Sequence, residues 1–453
     1  MKKLLFVIAM MSIATNIYAD DTFEVNGALY SITGSYLTLK GFANKENIRN
    51  YRIPETITYN TRTIAVKQIG YEAFKDCVNL VSLTIPGSIE YIERLFYDRY
   101  TSRNRYFTTA FNNCKSLKKL IFEDSSKPLD IPCYSNGENN PSYDNAGLFK
   151  DCCLEYIYIG RDIAGRGNDY RSQPLSKIEF GPYVTAISGA YGNYNDYQTN
   201  KTYKTVTIPQ NVKKVKGFSN CLNLEEVIIL GNGLIEIEEQ AFLDCKNLTT
   251  INLPKSLVKI DDSAFSRCEN LKEIYLSDNV ETLGFQAFIL CKKLSRVTIG
   301  KNVKSIGKNA FMDCSNIKTV VSKMDNPNQC SLNYSEPFGS STYANSVLYV
   351  PMGKRELYMN HSCWGKFFNI QESAEATNIS INSKKTNNLV LEGDQLKLEG
   401  FMPLDNIMLY DADGRLKYKS KISTEGTLSI PLYNYPRGVY FVKTKGNIYK
   451  FVK

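Results

Sequence analysis

Between Leu224 and Ile317 the pattern L-x-x-[IVL]-x-[ILF] starts at Leu224, Leu248, Leu271, Leu294 and, substituted, at Ile317, in nearly even steps of roughly 23 residues. No other feature constrains the fold of this chain as strongly. Ahead of each regular copy stands A-F-x-x-C: Ala241-Phe242 with Cys245, Ala264-Phe265 with Cys268, Ala287-Phe288 with Cys291, and Ala310-Phe311 with Cys314. The same core starts earlier at Leu80, Leu117, Leu154, Leu175 and Tyr203, at irregular intervals. There the accompanying motif reads Ala73-Phe74/Cys77, Ala110-Phe111/Cys114, Leu148-Phe149/Cys152 and Phe218/Cys221. After the core comes V-x-x-I or a variant of it, as in Val280-x-x-Leu283 and Val303-x-x-Ile306.

A unit of about 23 residues is too short to bury its own apolar face, so neighbouring units must stack. Ile251/Leu253 and Val297/Ile299 alternate with period two, which marks a short strand with one face inward. Pro86, Pro209 and Pro254 end such strands, because proline cannot donate to a ladder. The A-F-x-x-C-x-x-L segment predicts a short helical or irregular turn with Phe, Cys and Leu pointing inward. Coils stacked ~4.8 Å apart would make a rod of roughly 50 Å from ten units.

The phase also explains the cysteines. Cys77, Cys114, Cys221, Cys245, Cys268, Cys291 and Cys314 share one position of the repeat. They predict an inward ladder of free thiols, each acting as a small hydrophobe. Adjacent rungs would lie within the Cα separation a disulfide tolerates, but parallel Cβ vectors disfavour the bond. Cys133, Cys153, Cys330 and Cys363 fall off phase and are the candidates for pairing; their redox state, and that of Cys152, stays open.

The rhythm N-L-x-x-I-x-[IL]-P…I-x-x-x-A-F-x-x-C resembles the BspA-like leucine-rich repeat of bacterial surface proteins, over about residues 65 to 322. The resemblance implies a solenoid of short parallel strands and a role in adhesion to host matrix proteins or other cells. Residues 20–64, with Phe23 to Ile32 alternating around Asn26-Gly27, read as an N-terminal β cap that opens on a hairpin. The solenoid spans 65–322, irregular to about 203 and regular over 204–322. Residues 323–372, holding Trp364 and His361, resemble the closing cap of the same family.

Residues 373–385 are polar and read as a linker. From 386 to 453 short alternating runs predict a small antiparallel β-sandwich. Asp411 to Gly414 lacks the frame of a calcium loop and reads as a hairpin turn. With Gly414, Gly438, Tyr440, Lys450 and the closing Lys453, this segment resembles the C-terminal sorting domain of type IX secretion. That resemblance implies engagement by the secretion machinery and leaves open whether the domain is cleaved. At the other end, Lys2-Lys3, the apolar run Leu4 to Ala14 and Ala19 form a signal-peptide pattern over residues 1–19, with cleavage after Ala19. The expected location is the outer-membrane surface or the exterior, through the periplasm. The apolar run is too short to span a bilayer, and no transmembrane segment is expected.

Little points to chemistry. One histidine among 453 residues excludes multi-histidine metal sites, and no metal or cofactor is expected. His361-x-Cys363 is better explained by packing in a cap than as a nucleophile pair. Gly231-Asn232-Gly233 and Gly165-Arg166-Gly167 lack the strand–helix context of a dinucleotide site. The formal charge of +9 falls to +7 without Lys2 and Lys3, which gives weak grounds for nucleic-acid binding.

What does point to a partner is tyrosine. Residues 91 to 203 carry 14 of the 31 tyrosines, in long insertions among Asn, Gly, Ser and Arg. Insertions in a solenoid map to loops, often on a binding face, and tyrosine buries area with few torsions lost. The candidate contacts are Tyr97, Tyr100, Arg103, Arg105, Tyr106, Tyr134, Tyr143, Tyr170, Tyr191, Tyr194 and Tyr197, together with the sheet face. Plain surface loop is the competing reading. The expected function is non-catalytic recognition of an extracellular protein or glycan. A structural envelope component is the alternative, and a carbohydrate-active enzyme the third.

Overall fold

The computed structural model describes residues 22–97, 106–131, 148–149, 151–164, 170, 173–189, 191, 202–332, 336–376, 388–399, 406–412, 414–422, 427–444 and 447–453. Thr22–Val25 and Ala28–Thr33 pair antiparallel. Asn26 and Gly27 between them take φ of 52° and 82°, the left-handed pair that a two-residue hairpin turn demands. Tyr36–Phe42 extends this sheet and then pairs in parallel with Arg62–Ile69, which turns the hairpin into the first coil.

Each coil has three sides, and hydrogen bonds to neighbouring coils run along all three. The first, built largely from the L-x-x-[IVL]-x-[ILF] cores, is a run of three successive parallel sheets. Its strands are Asn50–Arg52, Ser82–Ile85, Lys119–Phe122, Tyr156–Arg161 and Lys177–Tyr183, then Thr205–Ile208, Glu226–Ile229 and Thr250–Ile251. Glu273–Tyr275, Arg296–Ile299, Thr319–Ser322, Val347–Val350 and Asn369–Glu372 complete it. The second side is a ladder of two-residue strands from the V-x-x-I elements, such as Glu236–Ile237, Lys259–Ile260, Thr282–Leu283 and Ser305–Ile306.

The third side is the A-F-x-x-C turn, and it too forms a ladder. The amide of each Phe donates to the carbonyl of the next coil's Ala: Phe242 to Ala264, Phe265 to Ala287 and Phe288 to Ala310, all at 2.8 Å. A second bond runs two residues on, from Asp244 to Ser266, Arg267 to Ile289 and Leu290 to Met312. Buried backbone groups must find partners, and those that the turn does not pair within its own coil find them in its neighbours.

Inside, the phenylalanines stack into a continuous spine: Phe74, Phe111, Phe149, Tyr170, Tyr191, Phe218, Phe242, Phe265, Phe288, Phe311 and Phe338. Ring centroids in the regular part lie 5.0 to 5.6 Å apart with planes within 13°. Such pairs contribute about 0.5–1.5 kcal/mol each beyond the area they bury.

The cysteine ladder stands beside the spine. Cys77, Cys114, Cys221, Cys245, Cys268, Cys291 and Cys314 are all buried free thiols. Their regularity extends beyond packing. Cys245 Sγ donates to the carbonyl of Phe218 at 3.1 Å, Cys268 to Phe242 at 3.2 Å, Cys291 to Phe265 at 3.2 Å and Cys314 to Phe288 at 3.0 Å. Each thiol thus gives a second donor to a carbonyl one coil back that already accepts an amide of its own turn, which alanine or valine could not do. Of the off-phase cysteines, Cys153 is exposed and free, while Cys330 and Cys363 are buried and free. Cys152 is a buried thiol in phase, and Cys133 lies outside the described residues.

The structure corrects the reading of two tyrosines. Tyr170 and Tyr191 are not partner-contact residues: they are 0% and 1% exposed and occupy the Phe position of two coils whose A-F-x-x-C motif is degenerate. Three residues after Tyr170, buried Gln173 takes the place of the cysteine, its Nε2 donating to the Phe149 carbonyl at 2.7 Å. One coil on, the Tyr203 hydroxyl donates to the Tyr191 carbonyl at 3.1 Å. Arg161, also fully buried, donates to the carbonyls of Pro86, Gly87 and Ile89 at 2.6 to 3.1 Å, capping the chain where proline ended the ladder. Burial pulls its guanidinium down to about 10, still protonated at neutral pH.

The closing cap places Phe338, Trp364 and Phe367 over the end of the spine, with the short helices Ser340–Asn345 and Arg355–Met359. His361 Nδ1 accepts from the amides of Cys363 and Trp364 at 3.1 and 3.3 Å. The Cys363 thiol, raised by burial, sits 3.2 Å from the Tyr343 hydroxyl. The imidazole therefore organises a turn and does not address the thiol.

After the cap, the three-stranded sheet Asn388–Glu392, Gln395–Glu399, Thr427–Pro431 and the four-stranded sheet of Asn406–Asp411, Leu416–Lys421, Val439–Thr444 and Asn447–Val452 enclose a core of their own. All their pairings are antiparallel. Leu396, Leu398, Ile407, Leu409 and Ile430 are fully buried there.

Two outcomes are expected. Each regular coil needs a left-handed residue just before its cysteine, filled by Asp244, Arg267, Leu290 and Asp313. Leu290, at φ 60°, is the costly choice, so Leu290→Asn should raise the unfolding free energy by about 1 kcal/mol in urea titration. In the native protein, alkylation at pH 8 read by peptide mass spectrometry should modify Cys153 and spare Cys245, Cys268 and Cys291, which react only after unfolding. Burial raises those three thiols and removes them from reagent.

Candidate recognition surface

Strand alternation sends every second residue of the first ladder outward. Because the pairing is in register, outward residues form straight rows across the coils. Lys119, Tyr156 and Lys177 are register partners in one row, and Ile121, Tyr158 and Glu179 in the next. In the next sheet along, Thr205 stands beside Glu226 and Thr207 beside Ile228.

This stretch of sheet concentrates tyrosine, carboxylate and cation. Lys119 and Lys177 each place an ammonium 5.5 Å from the centre of the Tyr156 ring. The Tyr156 hydroxyl donates to Glu179 at 2.6 Å, and Lys177 pairs with Glu179 at 2.8 Å. Burial alone would raise the Glu179 carboxyl; the bonds from Lys177 and Tyr156 overcome it and hold the group below the usual carboxylate value. The Tyr158 hydroxyl donates to Asp124 Oδ1 at 2.6 Å. Glycine makes room for that pair. A Cβ on Gly160 would stand 2.6 Å from Asp124 Oδ1, and one on Gly181 would stand 2.6 Å from the Tyr158 hydroxyl.

The C-terminal sheet sits on these rows. Tyr410 and Phe441 pack with Ile228 and Leu230 in a buried cluster joined by Met408 and Val439. Gly414, at φ 79° in the turn after Asp411, approaches Thr207 so closely that a Cβ would lie 2.9 Å from its methyl carbon. Lys443, its side chain 6% exposed, pairs with Glu226. Burial lowers the Lys443 ammonium, and Glu226 offsets part of that. Arg415 reaches Tyr158: its guanidinium lies 5.3 Å from the ring centre, and Nη2 donates to the hydroxyl at 3.0 Å. Ile121, Glu123, Asp124, Tyr156, Tyr158 and Arg415 line an open cavity of about 450 Å3.

The family is decided by the repeat. The family model described as "BspA type Leucine rich repeat region" matches six copies, over residues 38–168 and 192–318, more than half of the chain. The chain belongs to this family. As a BspA-type repeat protein it is similar to a leucine-rich repeat protein from Bacteroides ovatus, at 20% identity over 80% of this chain and 93% of that one, with a TM-score of 0.39. It is also similar to the pneumococcal vaccine antigen PcpA, at 17% identity over 78% and 99% with a TM-score of 0.38. A leucine rich cell surface protein from Faecalibacterium prausnitzii matches at 17% identity over 82% and 99%, with a TM-score of 0.28. No curated protein matches the chain.

The residues singled out from sequence are placed as follows. Tyr97 and Tyr106 are register partners at one end of the antiparallel pair Arg94–Tyr97 and Tyr106–Thr109. Tyr100, Arg103, Arg105, Tyr134, Tyr143, Tyr194 and Tyr197 lie outside the described residues, as do Gly165-Arg166-Gly167 and Ala19. Gly231 turns at φ 65° against the Phe441 ring, which accounts for that GxG. Gly438 exchanges backbone bonds with Lys453, whose ammonium pairs with Asp394 at 3.2 Å and donates to the Tyr435 carbonyl at 2.7 Å. Tyr440 is buried and donates to the Pro436 carbonyl, and Lys450 is exposed. Among the described residues no group of His, Cys, Asp and Glu could hold a metal ion, and no helix is long and apolar enough to cross a membrane.

Sequence reasoning missed Tyr158, Asp124, Arg415, Glu226 and Lys443. Strand period and repeat phase put Tyr158 and Glu226 on the outward face, but nothing local announces that a domain at the far end of the chain covers them. Placing a carboxylate under Phe441 and Tyr410 should undo that docking. Ile228→Asp, and Glu226→Lys opposite Lys443, should each increase the maximum dimension seen by small-angle X-ray scattering while the thermal transition of the solenoid persists.

Proposed function

We propose that this chain is an exported, surface-displayed or secreted recognition protein that binds an extracellular protein or glycan without catalysing a reaction. The observation that carries this reading is the outward face of the first ladder. It is a rigid, registered array of Tyr, Ile, Thr and charged side chains, and it already holds one folded β surface. A solenoid presents such a face over many coils at little cost in ordering, because inter-coil bonds fix the backbone before a partner arrives. Membership in the BspA-type family supports the same reading. In it, the signal-peptide pattern ending at Ala19 directs export, and the C-terminal sheets with Gly414, Gly438, Tyr440, Lys450 and Lys453 serve the sorting machinery.

The insertions around Tyr97 to Tyr106, Tyr134 to Tyr143 and Tyr194 to Tyr197 would extend the contact area. Their test has to spare Tyr170 and Tyr191, which the spine requires. Replacing residues 99–104, 135–142 and 193–200 by short Gly-Ser linkers should leave the circular dichroism melt intact. It should reduce binding to immobilised matrix proteins or to a glycan array at least tenfold. Undiminished binding by the trimmed chain would remove the loops from the interface, and absence of binding by the intact chain would count against adhesion.

A further inference from the structure

We propose that the cavity over Tyr158 is a recognition site for an arginine side chain of a protein partner, and that Arg415 of the C-terminal domain occupies it as an intramolecular stand-in. The partner class follows from what the pocket offers. A guanidinium is planar and weakly hydrated, stacks on aromatic faces and donates from its edge. The cavity supplies the Tyr158 ring as a face, at 5.3 Å from the Arg415 guanidinium carbon, and the Tyr158 hydroxyl as an acceptor at 3.0 Å. That hydroxyl can accept because its own proton is committed to Asp124 at 2.6 Å. Asp124, Glu179 and Glu123 surround the position with negative charge, Glu123 being anchored by Arg52 at 2.8 Å.

The neighbouring ring sharpens the assignment. Tyr156 is flanked by Lys119 and Lys177 of the solenoid itself, both 5.5 Å from its centre. Along the same strand, Tyr158 receives its cation from a different domain. The solenoid supplies Ile121, Glu123, Asp124, Tyr156 and Tyr158 to the pocket, and Arg415 is the one lining residue from the docked domain. Gly160 and Gly181 leave the space in which the Asp124 carboxylate and the Tyr158 hydroxyl meet, and the atoms that crowd both glycines belong to the solenoid. Arg415 itself stands at the edge of the docked sheet, in the turn beyond Gly414, whereas the apolar seal is formed by Tyr410 and Phe441 on Ile228 and Leu230. Arginine can therefore be removed from the pocket without removing the domain from the face.

The inference rests on the recognition reading only in requiring a protein partner, and its test uses none of the loops. The probe is acetyl-Gly-Arg-Gly-amide, titrated into the full chain by isothermal calorimetry, with the citrulline peptide as the neutral isostere. Arg415→Ala should bind the arginine peptide at least fivefold more tightly than the unmodified chain, and the citrulline peptide should show no such gain. Adding Tyr158→Leu, which keeps an apolar residue on the strand, should abolish the gain while the thermal transition stays cooperative. Equal affinity of the two chains for the arginine peptide would overturn the proposal. So would an equal gain for citrulline, or a gain that survives Tyr158→Leu.

Discussion

The regular stacking of this protein depends on the carbonyl of each spine Phe taking two donors, one from its own coil and one from the next. Within the coil the cysteine amide reaches it at 3.2 to 3.4 Å, as in Cys245 to Phe242, Cys268 to Phe265 and Cys291 to Phe288, and its second lone pair faces the following coil. A thiol from the following coil supplies the donor in the regular part, at 3.0 to 3.2 Å. Where cysteine is missing Gln173 supplies it to Phe149, and the Tyr191 carbonyl takes the Tyr203 hydroxyl of its own coil. A hydrogen bond of this kind contributes about 0.5–1.5 kcal/mol net, a large share of a domain's stability when repeated over many coils. The same geometry brings the rings into register, so stacking and hydrogen bonding reinforce one another.

From that constraint follows the character of the outward face. Parallel register fixes rows of side chains at constant spacing, and the rows can be filled with little effect on the core. Elsewhere they hold a mixture such as Ser82 and Thr84, Glu273 and Tyr275, Arg296 and Thr298, and Asn369 and Gln371. Over residues 119 to 230 they hold Tyr156, Tyr158, Ile121 and Ile228, and there the C-terminal domain settles. A face chemically suited to bind is covered by a part of the same chain, through an apolar seal, a part-buried Lys443–Glu226 pair and an arginine on a tyrosine.

The irregular half shows where sequence patterning stops being informative. The excess of tyrosine there pointed to a binding surface, and for Tyr170 and Tyr191 the tertiary structure reverses the inference. Composition counts a ring without saying which way it points. A spacing clue existed: Tyr170 precedes Gln173 by three and Leu175 by five, close to the F-x-x-C-x-x-L frame with one residue removed. At Tyr191 the insertion before Tyr203 hides even that. The hairpin at Asn26-Gly27 and the turn at Asp411 to Gly414 were readable because each needs left-handed residues, which a chain announces locally.

The sequence by itself determined the solenoid, its phase and the buried thiols. Those are nearest-neighbour properties, and a repeated unit states its neighbour's environment each time it states its own. Only the tertiary structure decided that Tyr158, Asp124 and Glu226 form one surface with Arg415 and Lys443. The residues come from segments far apart in the chain, and no period connects them. They meet because a separately folded sheet has a complementary apolar patch, a property of two finished surfaces that no local pattern in either segment encodes.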